Sequence, residues 1–338
     1  MTRRPPPPSR RDLLAGLGTL TLLSWIGGCD KSVEDTPDVH VDLDPLPLPL
    51  SDITANGDHY VTSCCATPAL DASTWTLAIV VGGETVAIVT MAWLEAQAAR
   101  DKEHTFECIS ARPFHQAISN AVWTGLPLTE LFGALGVVVP DTTVALKFTS
   151  ADDYTTAIPV QDLALPAWLV WRMNGEPIPA DHGFPARLIV PTRYGMKSPK
   201  WVTQLELIDA PYIGFWEAQG WSDSALIQPN TLVRWPTGRM PVRAGKLHVI
   251  GTAFAGRDPI AKVEVRLNGG EWIEATIDYA GPPDVWSLWS IDLNVPVGIH
   301  KVVARCTTAS GAQSGEDSAG SPGLVGYDGS MELDFEAV

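Results

Sequence analysis

The sequence predicts an α+β region followed by an all-β region, and three observations carry that prediction. Between residues 75 and 208, strand-like apolar runs are mixed with helical stretches, without the regular alternation of a doubly wound sheet. From about Val233 the helical pattern stops, and five short alternating segments follow at close spacing. Asn268-Gly269 falls between two of these segments, a hairpin signal because both central residues of a type I′ turn need positive φ.

The elements follow in order. Trp75–Val81 reads as a strand ended by Gly82-Gly83, and Met91–Arg100 as a helix. A strand then runs into Cys108, a loop follows, and a short helix is expected at Leu128–Leu135. Further strands are expected at Thr143–Phe148, Arg187–Val190 and Trp201–Ile208. The five segments of the second region are Leu247–Ala253, Lys262–Leu267, Trp272–Ile277, Trp286–Leu293 and His300–Thr307. Together they read as an immunoglobulin-like sandwich, with a Gly/Ser-rich tail beginning near Ser310.

A length of 338 residues is enough for two domains, each with its own core. A hydrophobic content of 45% with 18% charged residues belongs to a folded globular protein. The formal charge of −16 argues against nucleic acid as a partner, since phosphate binding needs clustered Lys and Arg. Several of the thirteen tryptophans stand beside Gly or Pro rather than in periodic runs, which suits pocket walls as well as core packing.

The N-terminus reads as an export signal. Ser9-Arg10-Arg11-Asp12-Leu13-Leu14 forms a twin-arginine element ahead of an apolar stretch, Leu17–Ile26, that is too short to span a bilayer. The stretch closes on Ile26-Gly27-Gly28-Cys29, a lipoprotein-type box. Residues 1–28 are therefore expected as a signal peptide, Cys29 as the lipidation site, and the periplasmic face of the inner membrane as the location. The acidic, proline-rich residues 29–50 read as a linker. Twin-arginine export carries proteins already folded, commonly because a cofactor is inserted first.

No GxSxG, HExxH or phosphate-cradling Gly-rich loop is present, which leaves serine-nucleophile and dinucleotide chemistry without support. Adjacent cysteines such as Cys64 and Cys65 rarely bridge each other. There is no CxxC pair or CxxC…HxxxH spacing, so zinc and iron–sulfur centres gain no support from spacing. Cys306, in the alternating run Lys301–Cys306, reads as a buried strand residue. Cys108 ends a strand and begins a loop. That position alone suits an inert core thiol as well as a soft thiolate ligand for a high-valent transition metal.

Three separated motifs decide between them. Asn120-Ala121-Val122-Trp123-Thr124-Gly125-Leu126-Pro127-Leu128 resembles the segment that follows the molybdenum-binding cysteine in the sulfite oxidase family. Met173–Pro179 with Asp181–Arg187 is similar to that family's second signature, and Tyr194–Trp201 to its third. The resemblance runs from about residue 50 to 315. It implies a molybdopterin-binding oxidoreductase domain over 50–232, an immunoglobulin-like dimerisation domain over 233–315, and a tail over 316–338. It also implies a molybdenum–molybdopterin cofactor with Cys108 as the thiolate ligand of molybdenum. His182 and Arg187 match positions that bind the pterin's phosphate and polar edges, and Ser198, Pro199 and Lys200 match the loop that cradles the phosphate. Asn56, His59 and Tyr60 match the strand that lines the cofactor, and Tyr154 matches the active-site tyrosine beside the metal's oxo groups. An anionic tail suits such a set, since it needs a guanidinium fork, an ammonium and free backbone N–H groups.

The departures from the family bear on the substrate. Sulfite-oxidising members surround a small dianion with arginines. The matching positions here are Thr62, Pro113 with Arg112 beside it, and the Ala218-Gln219 pair. A pocket of that composition predicts a neutral or organic substrate, with Arg112 as the one nearby cation. No haem-binding Cys-x-x-Cys-His is present, so electrons are expected to pass to or from a separate periplasmic carrier, a cytochrome c or quinone-linked protein. Two-electron oxygen-atom transfer is the implied reaction. Sulfoxide-type reduction and a non-catalytic lipoprotein binding module are the alternatives.

Overall fold

A computed structural model describes residues 43–44, 50–112, 115–164, 167–315, 325–329 and 332–338; the expected signal peptide, Cys29 and Pro113 lie outside them. Among the described residues the first region carries two five-stranded sheets. One has the order β2–β1–β10–β5–β6, from β1 (Thr76–Val81), β2 (Glu84–Thr90), β5 (Ala145–Ser150), β6 (Thr155–Pro159) and β10 (Val202–Ile208). The other runs β3 (Arg100–Glu107), β4 (Ile118–Pro127), β7 (Trp168–Met173) and β8 (Glu176–Pro177), with β9 (Arg187–Ile189) paired to β7. Their inner faces close on one core that includes Leu77, Ile79, Phe148, Leu169, Trp171 and Leu205. The helix α2 (Leu128–Leu135) adds Leu128, Leu131 and Phe132 to it.

The helical share is small. Helix α1 covers only Met91–Glu95, with the Thr90 side chain accepting from the Trp93 N–H as its cap. The expected continuation to Arg100 fails because Arg100 opens β3, whose ladder with β4 runs from Arg100↔Gly125 to Glu107↔Ile118. A long antiparallel pairing outweighs the modest helix propensity of a short segment. That ladder delivers Cys108, whose N–H still donates to Ala117 O at 2.9 Å. At Gly125, β4 passes so close to β7 that a Cβ would meet Leu169 O at 2.1 Å, so no other residue fits there.

The second region forms two four-stranded sheets. One joins β11 (Asn230–Trp235), β12 (Gly245–Phe254), β16 (Ser287–Val295) and β15 (Thr276–Ala280). The other joins β14 (Ile273–Glu274), β13 (Ile260–Leu267), β17 (Gly298–Thr308) and β18 (Leu333–Ala337). Val249, Trp289 and Leu293 of the first meet Val263, Val302 and Ala304 of the second in a shared core. The hairpin falls where expected, with φ of 52° at Asn268 and 69° at Gly269. Three segments differ from expectation, and in the first the strand expected over Trp272–Ile277 breaks at Ala275, whose N–H donates to Val263 O at 2.9 Å, into β14 and β15 of different sheets. The stretch expected as a tail returns as β18 along β17, and Asp44 of the expected linker is buried, accepting from Thr237 N at 2.9 Å.

The two regions share a polar and apolar seam behind Cys108. Asn230 donates to the buried Glu107 at 3.0 Å, and Ile109 and Ile118 pack with Leu232, Phe254 and Trp286. Asp284 is buried between Lys102 at 3.0 Å and Arg257 at 3.1 Å. No helix among the described residues is long and apolar enough to cross a membrane.

Candidate functional site

One cavity gathers most of the residues that the motifs single out. Its walls include His59, Tyr60, Cys108, Tyr154, His182, Arg187, Ser198, Pro199 and Lys200. They arrive from separate places: Cys108 from the end of β3, Tyr154 from the turn before β6, Arg187 from the start of β9, and Ser198–Lys200 from the loop before β10. The second core, Phe106, Trp123, Val170, Met173 and Ile189, backs the cavity from the other face of the β4–β7 sheet.

Arg187 is the centre of its electrostatics. The side chain is buried and rests over Phe106, with its guanidinium carbon 4.2 Å from the ring centroid, and over Trp123 at 5.1 Å. Its terminal nitrogens donate to His182 O at 2.9 Å and Ser198 O at 3.1 Å, while Nε has no partner. No carboxylate pairs with it among the described residues. Burial pushes its pKa down to about 10. Lys200 follows the same logic: burial, then Arg187, push it down to about 8. It donates to Ser63 Oγ and to Asp181 O at 2.8 Å, and lies over Trp201 at 4.4 Å. A buried guanidinium without a carboxylate is unfavourable unless something anionic arrives, whereas half-buried Lys200 already feels Asp152 and Asp181.

Around them the histidines are held neutral. Burial and then His182 lower His59 to about 3, and its Nε2 is buried without a partner. Burial and Arg187 lower His182, whose Nε2 donates to Asn56 O at 3.1 Å. Tyr60 is raised by burial and by Cys108, and Tyr154 by burial and by Glu217, so both phenols keep their protons. Tyr154 donates to Met196 O at 2.5 Å. Cys108 is half-buried, with Sγ 3.1 Å from Ser110 Oγ. The set can take an anion on Arg187 and Lys200 and a soft metal on Cys108.

Some candidates sit elsewhere. Asn56 is outside the cavity lining, and its side chain accepts from Asn174 Nδ2 at 2.9 Å. Arg112 is also outside the lining; it is half-buried, and its Nε donates to Ser110 O at 3.2 Å. The Ser198 hydroxyl accepts from the Val190 N–H at 2.9 Å, so it ties the loop to the sheet. Of the positions that the resemblance matches to anion-binding arginines, Thr62 lines the cavity and Ala218-Gln219 does not. The wall there is made instead by Trp216 and Trp221, two of the tryptophans set outside periodic runs.

That wall rests on Lys197, which lies inside the third motif. Lys197 is fully buried, pairs with buried Glu217 and with Asp223 at 3.1 Å, and donates to Ala157 O at 3.0 Å. Glu217 also accepts from Thr156 Oγ1 at 2.7 Å and belongs to the turn that carries Trp216 and Trp221. A second Lys in the third motif, three residues before Lys200, is the signal that could have flagged this support.

The family model for the oxidoreductase molybdopterin binding domain matches residues 64–216. Human mitochondrial sulfite oxidase is 28% identical over 222 residues, covering 56% of this chain and 41% of that protein. The mitochondrial sulfite oxidase of Drosophila melanogaster is 30% identical over 215 residues, covering 53% and 37%. The chain thus spans about two-fifths of the length of these relatives. The sulfane dehydrogenase SoxCD of Paracoccus pantotrophus shares the fold, with a TM-score of 0.72, 18% identity, and coverage of 95% of this chain and all of that one. The second and third motifs meet in one cationic cavity beside Cys108, and residues 64–216 carry a molybdopterin-binding oxidoreductase domain of the sulfite oxidase type.

Proposed function

We propose that the chain transfers an oxygen atom to or from a small neutral or organic substrate, sulfur-containing by family precedent, with Cys108 as the thiolate ligand of molybdenum. The observation that carries this reading is a half-buried thiol sharing one cavity with a buried guanidinium that has no carboxylate partner. When bound, molybdenum–molybdopterin supplies two-electron oxygen-atom transfer. The chain's residues bind and orient. Arg187 and Lys200 hold the phosphate, and the free Arg187 Nε and His59 Nε2 offer further contacts to a polar ligand. Neutral His182 keeps the Asn56 segment against the cavity wall. Tyr154, protonated and close to Met196 O, holds a proton at its hydroxyl for a developing charge on the substrate.

The substrate reading rests on what lines the rest of the cavity. Among the described lining residues the fixed cations are Arg187 and Lys200, both assigned to the phosphate; Thr62, Ser110, Trp216 and Trp221 are neutral. Losing one close cation–anion contact costs on the order of 2–5 kcal/mol. Molybdenum-loaded protein is therefore expected to oxidise sulfite with a kcat/KM powers of ten below that for a neutral organic substrate. Steady-state assays with an artificial electron acceptor test this. A low-micromolar KM for sulfite with fast turnover contradicts it.

We also read the chain as exported by the twin-arginine route, lipidated at Cys29, exchanging electrons with a separate periplasmic carrier, and able to dimerise through its immunoglobulin-like region. The sequence of residues 9–29 supports the first two. Labelling with a fatty-acid analogue is expected in the wild type and absent in Cys29→Ala; equal labelling of the two contradicts the anchor.

A further inference from the structure

Cys64 and Cys65 have no task in the reading above, yet they stand at the cavity. Neighbouring side chains on an extended chain point to opposite sides. A bend at Cys64–Cys65 instead turns both thiols the same way, with their Sγ atoms 2.8 Å apart. Asp152 arrives from the turn between β5 and β6, and one of its oxygens joins the two sulfurs so that all three atoms lie within 4.8 Å of one another. The Tyr154 N–H donates to Asp152 Oδ1 at 3.2 Å and orients the carboxylate. The bend is held too, because Lys200 Nζ donates to the Ser63 hydroxyl.

We propose that Cys64, Cys65 and Asp152 form a second metal site, for a borderline-soft divalent cation of the zinc class, at the rim of the cavity. Two sulfurs and one carboxylate oxygen are a zinc-type donor set, whereas magnesium and calcium take oxygen alone. Zinc–thiolate bonds of about 2.3 Å put two sulfurs roughly 3.8 Å apart in a tetrahedron. The sulfurs stand 2.8 Å apart and the carboxylate oxygen lies within 4.8 Å of both, so binding requires the thiols to rotate apart by about 1 Å. Charge fits as well. A divalent ion offsets two of the three negative charges of two thiolates and a carboxylate, and the Lys200 ammonium, shared with the phosphate, lies within electrostatic reach of Asp152 and Cys64. Three protein ligands leave a fourth position open, and it opens toward the cavity because Cys64 and Asp152 both line it. The site shares the cavity with Cys108 but none of its donors, and it escapes a search by sequence spacing because its third ligand lies far along the chain.

The test uses the full, molybdenum-loaded chain under mild reductant. It is equilibrated with zinc chloride and dialysed, and zinc and molybdenum are counted in the same digest. One zinc per chain is expected in the wild type and in Cys108→Ala. Cys64→Ser, Cys65→Ser and Asp152→Asn should each weaken binding by more than the roughly 10–100-fold that loss of an outer-shell partner causes. Cobalt(II) in place of zinc should give a thiolate charge-transfer band that either cysteine variant diminishes. No zinc in folded, reduced wild type overturns the site, as does equal zinc in all three variants. A Cys64–Cys65 disulfide that persists under the reductant overturns it as well. The molybdenum count separates these outcomes from a failure at Cys108.

Discussion

The cavity wall around Arg187 and the layer around Lys197 are both buried and both cationic, yet they are completed differently. Lys197, 1% exposed, is enclosed by Glu217, Asp223 and a backbone carbonyl. Arg187, 6% exposed, meets carbonyl oxygens and aromatic faces and leaves Nε without a partner. A buried charge needs a partner or an exceptional environment. Lys197 finds its partner within the chain, which makes it architecture for the Trp216–Trp221 wall. Arg187 has no carboxylate partner among the described residues, and we propose that an incoming anion supplies it.

Substitutions at the two cations should therefore separate binding from folding. The largest effect is expected at Arg187. Arg187→Ala should lose on the order of 2–5 kcal/mol of cofactor affinity and purify largely without pterin, measured by pterin fluorescence after denaturation. In cofactor-free protein, Arg187→Met should be as stable as the wild type or more so, because an uncompensated buried charge is removed. Full pterin content in Arg187→Met would erase the contrast.

Lys197→Ala should act on folding. It strands Glu217 at a site where both partners are 1% exposed, and the expected loss is about 3–5 kcal/mol in chemical denaturation of cofactor-free protein. Replacing both partners, as Lys197→Met with Glu217→Leu, should recover most of it. If Lys197→Ala keeps its stability and loses pterin, Lys197 also receives the anion.

What the sequence reveals follows the same division between local and assembled features. The strands around Leu77, Val249, Val263 and Val302 and the helix Leu128–Leu135 are legible because one face of each is apolar at the right period. β4 is not legible as a strand, since Ile118–Pro127 is buried on both faces and shows no alternation. Helix α1 is overestimated because pattern alone cannot anticipate the β3–β4 ladder that takes Arg100. In the site, Cys108, His182, Arg187 and Lys200 are legible through motifs whose spacing survives in the chain. Arg112 is legible only as a charge near the cysteine, and the fold turns its Nε to the Ser110 carbonyl. Glu217 and Asp152 are not legible, because their partners Lys197 and Cys64 come from other segments.

The central claim is that Cys108 is the thiolate ligand of a molybdenum held by this cavity. The most direct measurement compares the wild type with Cys108→Ala, both purified from a molybdenum-replete host, for pterin content, metal content and visible absorption. The account predicts pterin and molybdenum in equal amounts in the wild type, with a thiolate-to-molybdenum absorption band. Cys108→Ala is predicted to keep pterin on Arg187 and Lys200 but lose that band and its turnover. An unchanged spectrum and unchanged turnover in Cys108→Ala would contradict the account.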